Sequence, residues 1–115
     1  MPASRSFQIH ESDTYTSTGT GIIYGTTYVL KSFAIQVTGT GATATALNVV
    51  IEGSLDGTNY TTILTHTGAT GNGQILFSSA NLYPCVYTRS RVVSLTLGPA
   101  TNIVVYIAGV QWNGF

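Results

Sequence analysis

The stretch Leu47–Tyr60, reading LNVVIEGSLDGTNY, decides the fold of this chain. In its first part every second residue is apolar: Leu47, Val49 and Ile51. This period-two pattern is typical of a strand with one buried face. Val50, on the other face, is apolar too, so we expect that face to be partly covered as well.

A tight turn follows this strand. Asp56-Gly57 is a turn dipeptide, because glycine adopts positive φ angles without steric cost. The run Tyr60–Leu64 then alternates again, so the two runs predict a hairpin. The segments on either side of the hairpin read as further strands that need the same core.

The rest of the chain repeats short strands and turns. No stretch shows the i, i+3, i+4, i+7 recurrence of an amphipathic helix. Short strands with a turn signal about every ten residues predict an all-β protein, either a two-sheet sandwich or a barrel. A Gly-rich loop is expected after Leu64. The predicted strands outside the hairpin are Thr27–Thr38, Ile75–Phe77, Val86–Leu97 and Ile103–Ala108.

Residues 1–25 are predicted to form an extended N-terminal arm, and residues 26–115 the sandwich domain. The arm is rich in Gly, Thr and other polar residues around isolated apolar ones, so it buries little of itself. The alternative is a first strand at Ser6–His10 that pairs with the sheet. The apolar residues of an arm would be candidate anchors in a neighbouring subunit. They are Phe7, Ile9, Ile22 and Ile23.

The chain carries few charges. Of its 115 residues 7% are charged, against about a quarter in ordinary soluble domains. Such a protein relies on Thr, Ser, Asn and Gly for solubility, and its low charge indicates surface that a partner covers. The formal net charge is zero at pH 7, so we expect neither nucleic acid nor an anionic membrane as a partner.

The first residues, MPASRSFQIHESD, contain no apolar segment of the kind found in signal peptides. No apolar run approaches the length of a membrane span. We therefore expect the protein to be made in the cytoplasm. Its one cysteine, Cys85, excludes an internal disulfide.

Candidate catalytic residues are few. Nucleophilic catalysis needs Ser or Cys, a histidine and a carboxylate brought together. His10 falls in the predicted arm, and His66 falls in the Gly-rich loop, where we expect a solvated side chain. Cys85 is expected to be a small core residue rather than a reactive thiol. The sequence therefore predicts that the protein is not an enzyme.

A metal site would need clustered His, Cys, Asp or Glu side chains. His10, Glu11 and Asp13 lie close together, but a flexible arm would not hold them in a fixed geometry. Asp56 is a candidate ligand in a calcium-binding loop, although an Asp before Gly in a turn needs no ion. We expect neither a metal nor a cofactor.

Aromatic residues and two arginines are candidates for contacts between subunits. The aromatic residues either alternate into the core, form a sugar-stacking platform or contribute to an interface. Arg89 and Arg91 share one strand face, where they either face solvent or pair with Glu52 or Asp56. The aromatic and C-terminal candidates are Tyr60, Tyr83, Tyr87, Tyr106, Trp112 and Phe115.

Two motifs resemble a known family. The run Val49–Tyr60 resembles the hairpin of small tailed-bacteriophage virion proteins, in which a hydrophobic strand leads into S-x-DGT-N-aromatic. Tyr83–Val92 is similar to their P-W-x-[FY]-V-R-x-x-V strand, with Cys85 where tryptophan is usual and Thr88 where valine is frequent. Leu95–Val105 matches their small-residue turn and closing strand. The resemblance covers residues 33–108.

Together with the predicted strands, this resemblance implies an antiparallel β-sandwich with a jelly-roll-like core that belongs to a virion. The function it implies first is that of a capsid decoration or cement protein, a homotrimer whose arm and sheet edges clamp the major capsid protein or other virion proteins. A tail, neck or fibre component is the alternative within the same class. The two motifs are also similar to galactose-binding-like (discoidin) jelly rolls, which implies a carbohydrate-binding module as the alternative from another class. A hydrolase has the least support.

Overall fold

The structure, a computed structural model, describes residues 6–25, 30–68, 75–77 and 83–112. Within these ranges no helix is long and apolar enough to cross a membrane. The strands are β1 Ser6–Tyr15, β2 Gly19–Thr20, β3 Tyr24–Gly25, β4 Leu30–Gly39, β5 Ala46–Ser54, β6 Thr61–Gly68, β7 Ile75–Phe77, β8 Tyr83–Pro84, β9 Tyr87–Thr96 and β10 Ile103–Trp112.

The strands form two antiparallel sheets. The first sheet has the order β1-β10-β4-β7, with β8 also paired to β4, and the second has the order β2-β9-β5-β6, with β3 also paired to β9. The chain passes repeatedly from one sheet to the other, so each sheet combines strands from both ends of the sequence. This is the strand order of a jelly roll. The predicted all-β sandwich is therefore confirmed.

The core lies between the two sheets and is almost entirely aliphatic. Alternate residues of β4, β5 and β10 point into it, as the period-two pattern predicts. Val50, on the opposite face of β5, is also buried, with 4% of its surface exposed. The fully buried aliphatic residues are Ile35, Val37, Val49, Ile51, Val92, Ile103, Val105 and Ile107.

The structure corrects the prediction of an extended N-terminal arm for the part Ser6–Tyr15. This segment is β1, the edge strand of the first sheet, and it pairs with β10 from Ser6 opposite Trp112 to Tyr15 opposite Ile103. The sequence alternative of a first strand is the one observed, and it runs beyond His10. Long-range backbone pairing stabilises a segment whose own apolar residues are sparse. Whether residues 1–25 can separate from the sandwich stays a prediction.

Two other boundaries differ from the sequence prediction. β6 continues to Gly68, so His66 lies in a strand opposite Val49 rather than in a solvated loop. His66 is 4% exposed, because its position in the register is the one that faces the core. β10 continues to Trp112, four residues beyond the predicted strand Ile103–Ala108. Phe115 lies outside the described residues.

Removing residues 1–15 tests the role of β1. We expect a loss of about 3 kcal/mol or more in the free energy of unfolding, because the deletion removes a ten-residue ladder and the buried Tyr15 ring. Chemical denaturation would measure this loss. Removal of residues 1–5, which precede β1, is the matched control. An unchanged unfolding midpoint after the longer deletion would show that residues 6–15 are a dispensable arm.

Candidate binding surface at the β5–β6 hairpin

The turn between β5 and β6 is organised by one carboxylate. Asp56 Oδ1 accepts hydrogen bonds from the Thr58 and Asn59 backbone N–H groups at 2.8 Å each, and from the Ser54 hydroxyl at 2.9 Å. Asp56 Oδ2 accepts a bond from the Asn59 side-chain amide at 2.8 Å. These donors, led by the Asn59 N–H, hold the pKa of Asp56 well below its usual range. The donors of the turn itself therefore satisfy the Asp56 carboxylate.

Gly57 completes this turn and contacts a neighbouring ring. Its φ of 78° lies in the left-handed region, as the Asp-Gly dipeptide predicted. A Cβ atom at Gly57 would lie 3.4 Å from the Tyr87 ring, and one at Gly25 would lie 2.9 Å from the same ring. The Tyr87 ring thus packs closely against the backbone at both glycines. This contact joins the hairpin turn to β3.

A cleft of about 540 Å³ lies beside the turn. Buried Gly53 and Cys85 line it together with half-buried Ile63 and exposed Leu55. A Cβ atom at Gly53 would lie 2.6 Å from Ile63 Cδ1 and 3.1 Å from Cys85 Cβ, so a larger residue there would require both side chains to move. The cleft has the size of a small binding pocket and a largely apolar lining.

Two backbone features shape the cleft. The register of β5 and β6 shifts between Ile51 and Glu52, which leaves Ile63 as an extra residue in β6. Such a bulge redirects a side chain, and Ile63 as well as Leu64 packs against the core. The Val86 N–H donates to the Ser54 carbonyl at 2.9 Å and fixes the segment that carries Cys85. Cys85 is 4% exposed, as predicted for a core residue.

The outer face of the second sheet carries a charged cluster. Glu52, 4% exposed, accepts a hydrogen bond from Arg89 Nε at 2.9 Å and one from Arg91 Nη1 at 3.2 Å. The Arg89 guanidinium lies 3.8 Å from the centroid of the Tyr60 ring. Of the sequence alternatives for the two arginines, pairing with Glu52 is the one observed. Tyr60 lies over this cluster rather than in the core.

A second polar cluster joins the two sheets. The Tyr15 hydroxyl and Ser90 Oγ are 2.6 Å apart, and Ser90 Oγ donates to Asp13 Oδ2 at 3.0 Å. Burial raises the pKa of Tyr15, so the phenol stays protonated. Asp13 Oδ1 also accepts a bond from the Ile22 N–H at 3.4 Å. The cluster ties the end of β1 to β9 and to the segment before β3.

The structure does not bring His66 and Cys85 together. His66 lies opposite Val49, while Cys85 packs at Gly53, four residues further along β5. That spacing corresponds to about 13 Å along a strand. The His66 Nε2 atom is buried without a hydrogen-bond partner among the described residues. Among the residues that the structure describes, no group of three or more His, Cys, Asp or Glu side chains is placed to hold a metal ion.

The predicted interface residues fall into three groups. Ile22 and Ile23 are exposed, at 61% and 46%. Arg89 and Arg91 are held by Glu52. For the remaining candidates, Phe7, Ile9 and Trp112 lie in β1 and β10, with side chains outside the described part, and Phe115 lies outside it altogether. The cleft itself was missed, because the bulge at Ile63 has no signal in the sequence.

No protein-family model matches the sequence, and a search of curated proteins finds no match. The SPBc2 prophage-derived protein YomS has a similar structure, with a TM-score of 0.57, 11% sequence identity, and an alignment that covers 97% of this chain and 96% of that chain. At this identity the likeness concerns the fold alone.

A second solved structure is described as Bacillus endospore appendages that form a novel family of disulfide-linked pili. Its chain is 16% identical, and the alignment covers 97% of this chain and 90% of that chain. The TM-score of 0.49 is too low to establish a shared fold.

The two arginines allow a matched test of the charged cluster. We expect Arg89→Ala to cost about 1–2 kcal/mol of unfolding free energy, since Arg89 bonds the buried carboxylate and stacks on Tyr60. Arg91→Ala should cost less than about 1 kcal/mol, because that side chain is 45% exposed. Urea denaturation of both variants checks the difference. Equal losses would mean that the Tyr60 contact adds nothing.

His66 gives the folded protein a pH dependence. Burial lowers its pKa from the ordinary 6.5, so the unfolded chain takes up a proton at a higher pH than the folded one. Stability should be full above about pH 6.5 and should fall as the pH decreases toward the folded pKa. His66→Gln should flatten this decline between about pH 7 and pH 5, as measured by thermal melts. His10→Gln is the control, and an unchanged slope in His66→Gln would contradict this origin.

Proposed function

We propose that this protein is a structural component of a bacteriophage virion, where it acts as a capsid decoration protein. One observation carries this proposal: every charged side chain that the structure describes bonds to another group of the same chain. Of the eight Asp, Glu, Lys and Arg residues, five have described side chains, and each of these five bonds to another group of the protein. They are Asp13, Glu52, Asp56, Arg89 and Arg91.

An outer surface with few free charges is suited to burial against other proteins. Moving a charge out of water is costly, and charged residues are depleted at the centres of interfaces. Threonines cover much of this surface instead, for example Thr61, Thr62, Thr65 and Thr67 along β6. Their hydroxyl groups keep the free protein hydrated, and covering them costs less than covering charged groups.

Sheet edges supply a second feature that supports assembly. β1 and β6 end their respective sheets in the described part of the chain. β6, TTILTHTG, carries neither a charged residue nor proline, the usual devices that keep a sheet edge from pairing with another strand. In the proposed role, copies attach to the major capsid protein through such edges and through exposed apolar residues, as homotrimers on the virion.

The fold is consistent with a phage origin, since it resembles that of a prophage-derived protein. A tail, neck or fibre component is the alternative within this class. The carbohydrate-binding alternative has less support. The Tyr60 ring lies under a guanidinium, and the carboxylate of Asp56 is occupied by its own turn.

The abundance of the protein in particles tests this proposal. Quantitative mass spectrometry of purified particles of the phage that encodes it should give a copy number comparable to that of the major capsid protein. A much smaller number, set by the symmetry of a tail or neck, would move it to that part of the virion. Absence from the particles would overturn the structural role and favour a glycan-binding one.

A further inference from the structure

The segment between β2 and β3 presents an exposed aliphatic pair. Ile22 and Ile23 are 61% and 46% exposed, and they are adjacent at one edge of the second sheet. Single exposed aliphatic residues are common on protein surfaces. Two adjacent ones indicate a contact that is completed by another molecule, because the other large apolar side chains that the structure describes as exposed, Leu55 and Val93, are not next to one another in sequence.

Polar groups hold this pair in a fixed position. The Gly21 N–H donates to the Ser90 carbonyl at 2.8 Å, and the Ile22 N–H donates to Asp13. A side chain at position 21 would collide with Asp13 and with the Tyr15 hydroxyl, so glycine brings the segment against this buried cluster. A contact through a segment that is already ordered loses less conformational entropy than one through a mobile loop.

The opposite edge of the same sheet carries a matching cleft. The cleft of about 540 Å³ at the β5–β6 hairpin is lined by Leu55, which is 66% exposed, and by Ile63. Uncharged Thr61 and Thr62 lie on its β6 side. Its one described charge, Asp56, already accepts four hydrogen bonds within the turn. An uncharged aliphatic group therefore suits this cleft better than a charged one.

We infer that Ile22 and Ile23 of one copy of this chain insert into the cleft at the β5–β6 hairpin of a second copy. In the order β2-β9-β5-β6, with β3 on β9, the strand β9 separates the pair from the β5 and β6 residues that line the cleft. The contact joins two different surfaces, which makes it heterologous. Contacts of this kind build a ring where the rotation closes and a chain where it does not.

A second copy is a better occupant than an unrelated peptide. The donor and the acceptor are present on the same chain, both are aliphatic, and neither offers a free charge that would select an acidic or a basic partner. The inference rests on the proposed function for its setting. It supplies the contact through which neighbouring copies would be joined on a particle.

Association of the purified full-length protein tests this inference. Sedimentation velocity over a range of concentrations should show reversible association of the wild type. Ile22→Ser with Ile23→Ser removes the donor, and Leu55→Ser with Thr62→Lys alters the cleft. Each double variant should weaken association roughly tenfold or more, because each removes aliphatic burial from the contact. Val93→Ser is the matched control, since Val93 is 41% exposed and lies at neither surface.

Mixing the two double variants separates this geometry from other modes of association. The donor variant keeps a native cleft, and the cleft variant keeps native isoleucines. An equimolar mixture should therefore form one-to-one pairs at concentrations at which each variant alone is monomeric. A symmetric contact between identical surfaces would give no such pairs. Circular dichroism spectra and melting curves of all variants should match the wild type, because the replaced side chains are exposed.

Several results would overturn the inference. A wild type that stays monomeric up to its solubility limit would do so, as would double variants that associate like the wild type or a mixture that forms no pairs. These results are independent of the copy number in particles. A monomeric protein found in virions would contradict only the inference. A protein that associates as described but is missing from virions would contradict only the proposed function.

Discussion

Burial of the Glu52 carboxylate is the constraint on which the rest of the second sheet depends. β5 is covered on both faces, and Glu52 occupies its outer face with only 4% of its surface exposed. A buried carboxylate is tolerated only when charged donors satisfy it. Arg89 and Arg91 do so from β9, and this requires the register in which Glu52 stands opposite Arg89. A shift of one residue would turn both arginines toward the core.

The ion pairs also link the sheet to the hairpin turn. Arg89 lies over the Tyr60 ring, so the residue that follows the turn is placed by the same cluster that sets the register of β5 and β9. On the inward face of β9, Ser90 lies between the two arginines in sequence and meets Tyr15 and Asp13 from β1. The two faces of β9 thus position two different strands, β5 through the arginines and β1 through Ser90. β9 needs polar residues on both faces for this reason.

The sequence predicted the strands whose signal is local. The hairpin at Leu47–Tyr60, the turn at Asp56-Gly57 and the closing strand after Asn102 all follow from alternation and turn chemistry within a few residues. Pairing of the arginines with Glu52 was among the alternatives. The jelly-roll-like sandwich was predicted as well, from the many short strands together with the family resemblance, whereas the strands alone also allowed a barrel.

What the sequence did not predict depends on distant partners. β1 was taken as an arm because its own residues carry little apolar pattern, and its strand structure comes from the ladder with β10, which starts about a hundred residues later. His66 was wrongly placed in a loop, since the neighbouring Gly and Thr residues look like a turn. The cleft depends on a bulge at Ile63 and on the missing side chain of Gly53, and neither leaves a pattern that can be read in advance.

Gly53 explains in part why the cleft lies at this end of the sandwich. An added Cβ atom would press on the Tyr87 ring at Gly25 and on Ile63 and Cys85 at Gly53, while one at Gly57 would make an ordinary contact with the Tyr87 ring. All three positions lie near the end of the second sheet where β5 turns into β6, so backbone packs directly on side chains there. In the middle of the sandwich the described aliphatic side chains of β4, β5 and β10 fill the space between the sheets. At this end, the missing side chain of Gly53, combined with the bulge at Ile63 in β6, leaves a concave surface beside the turn.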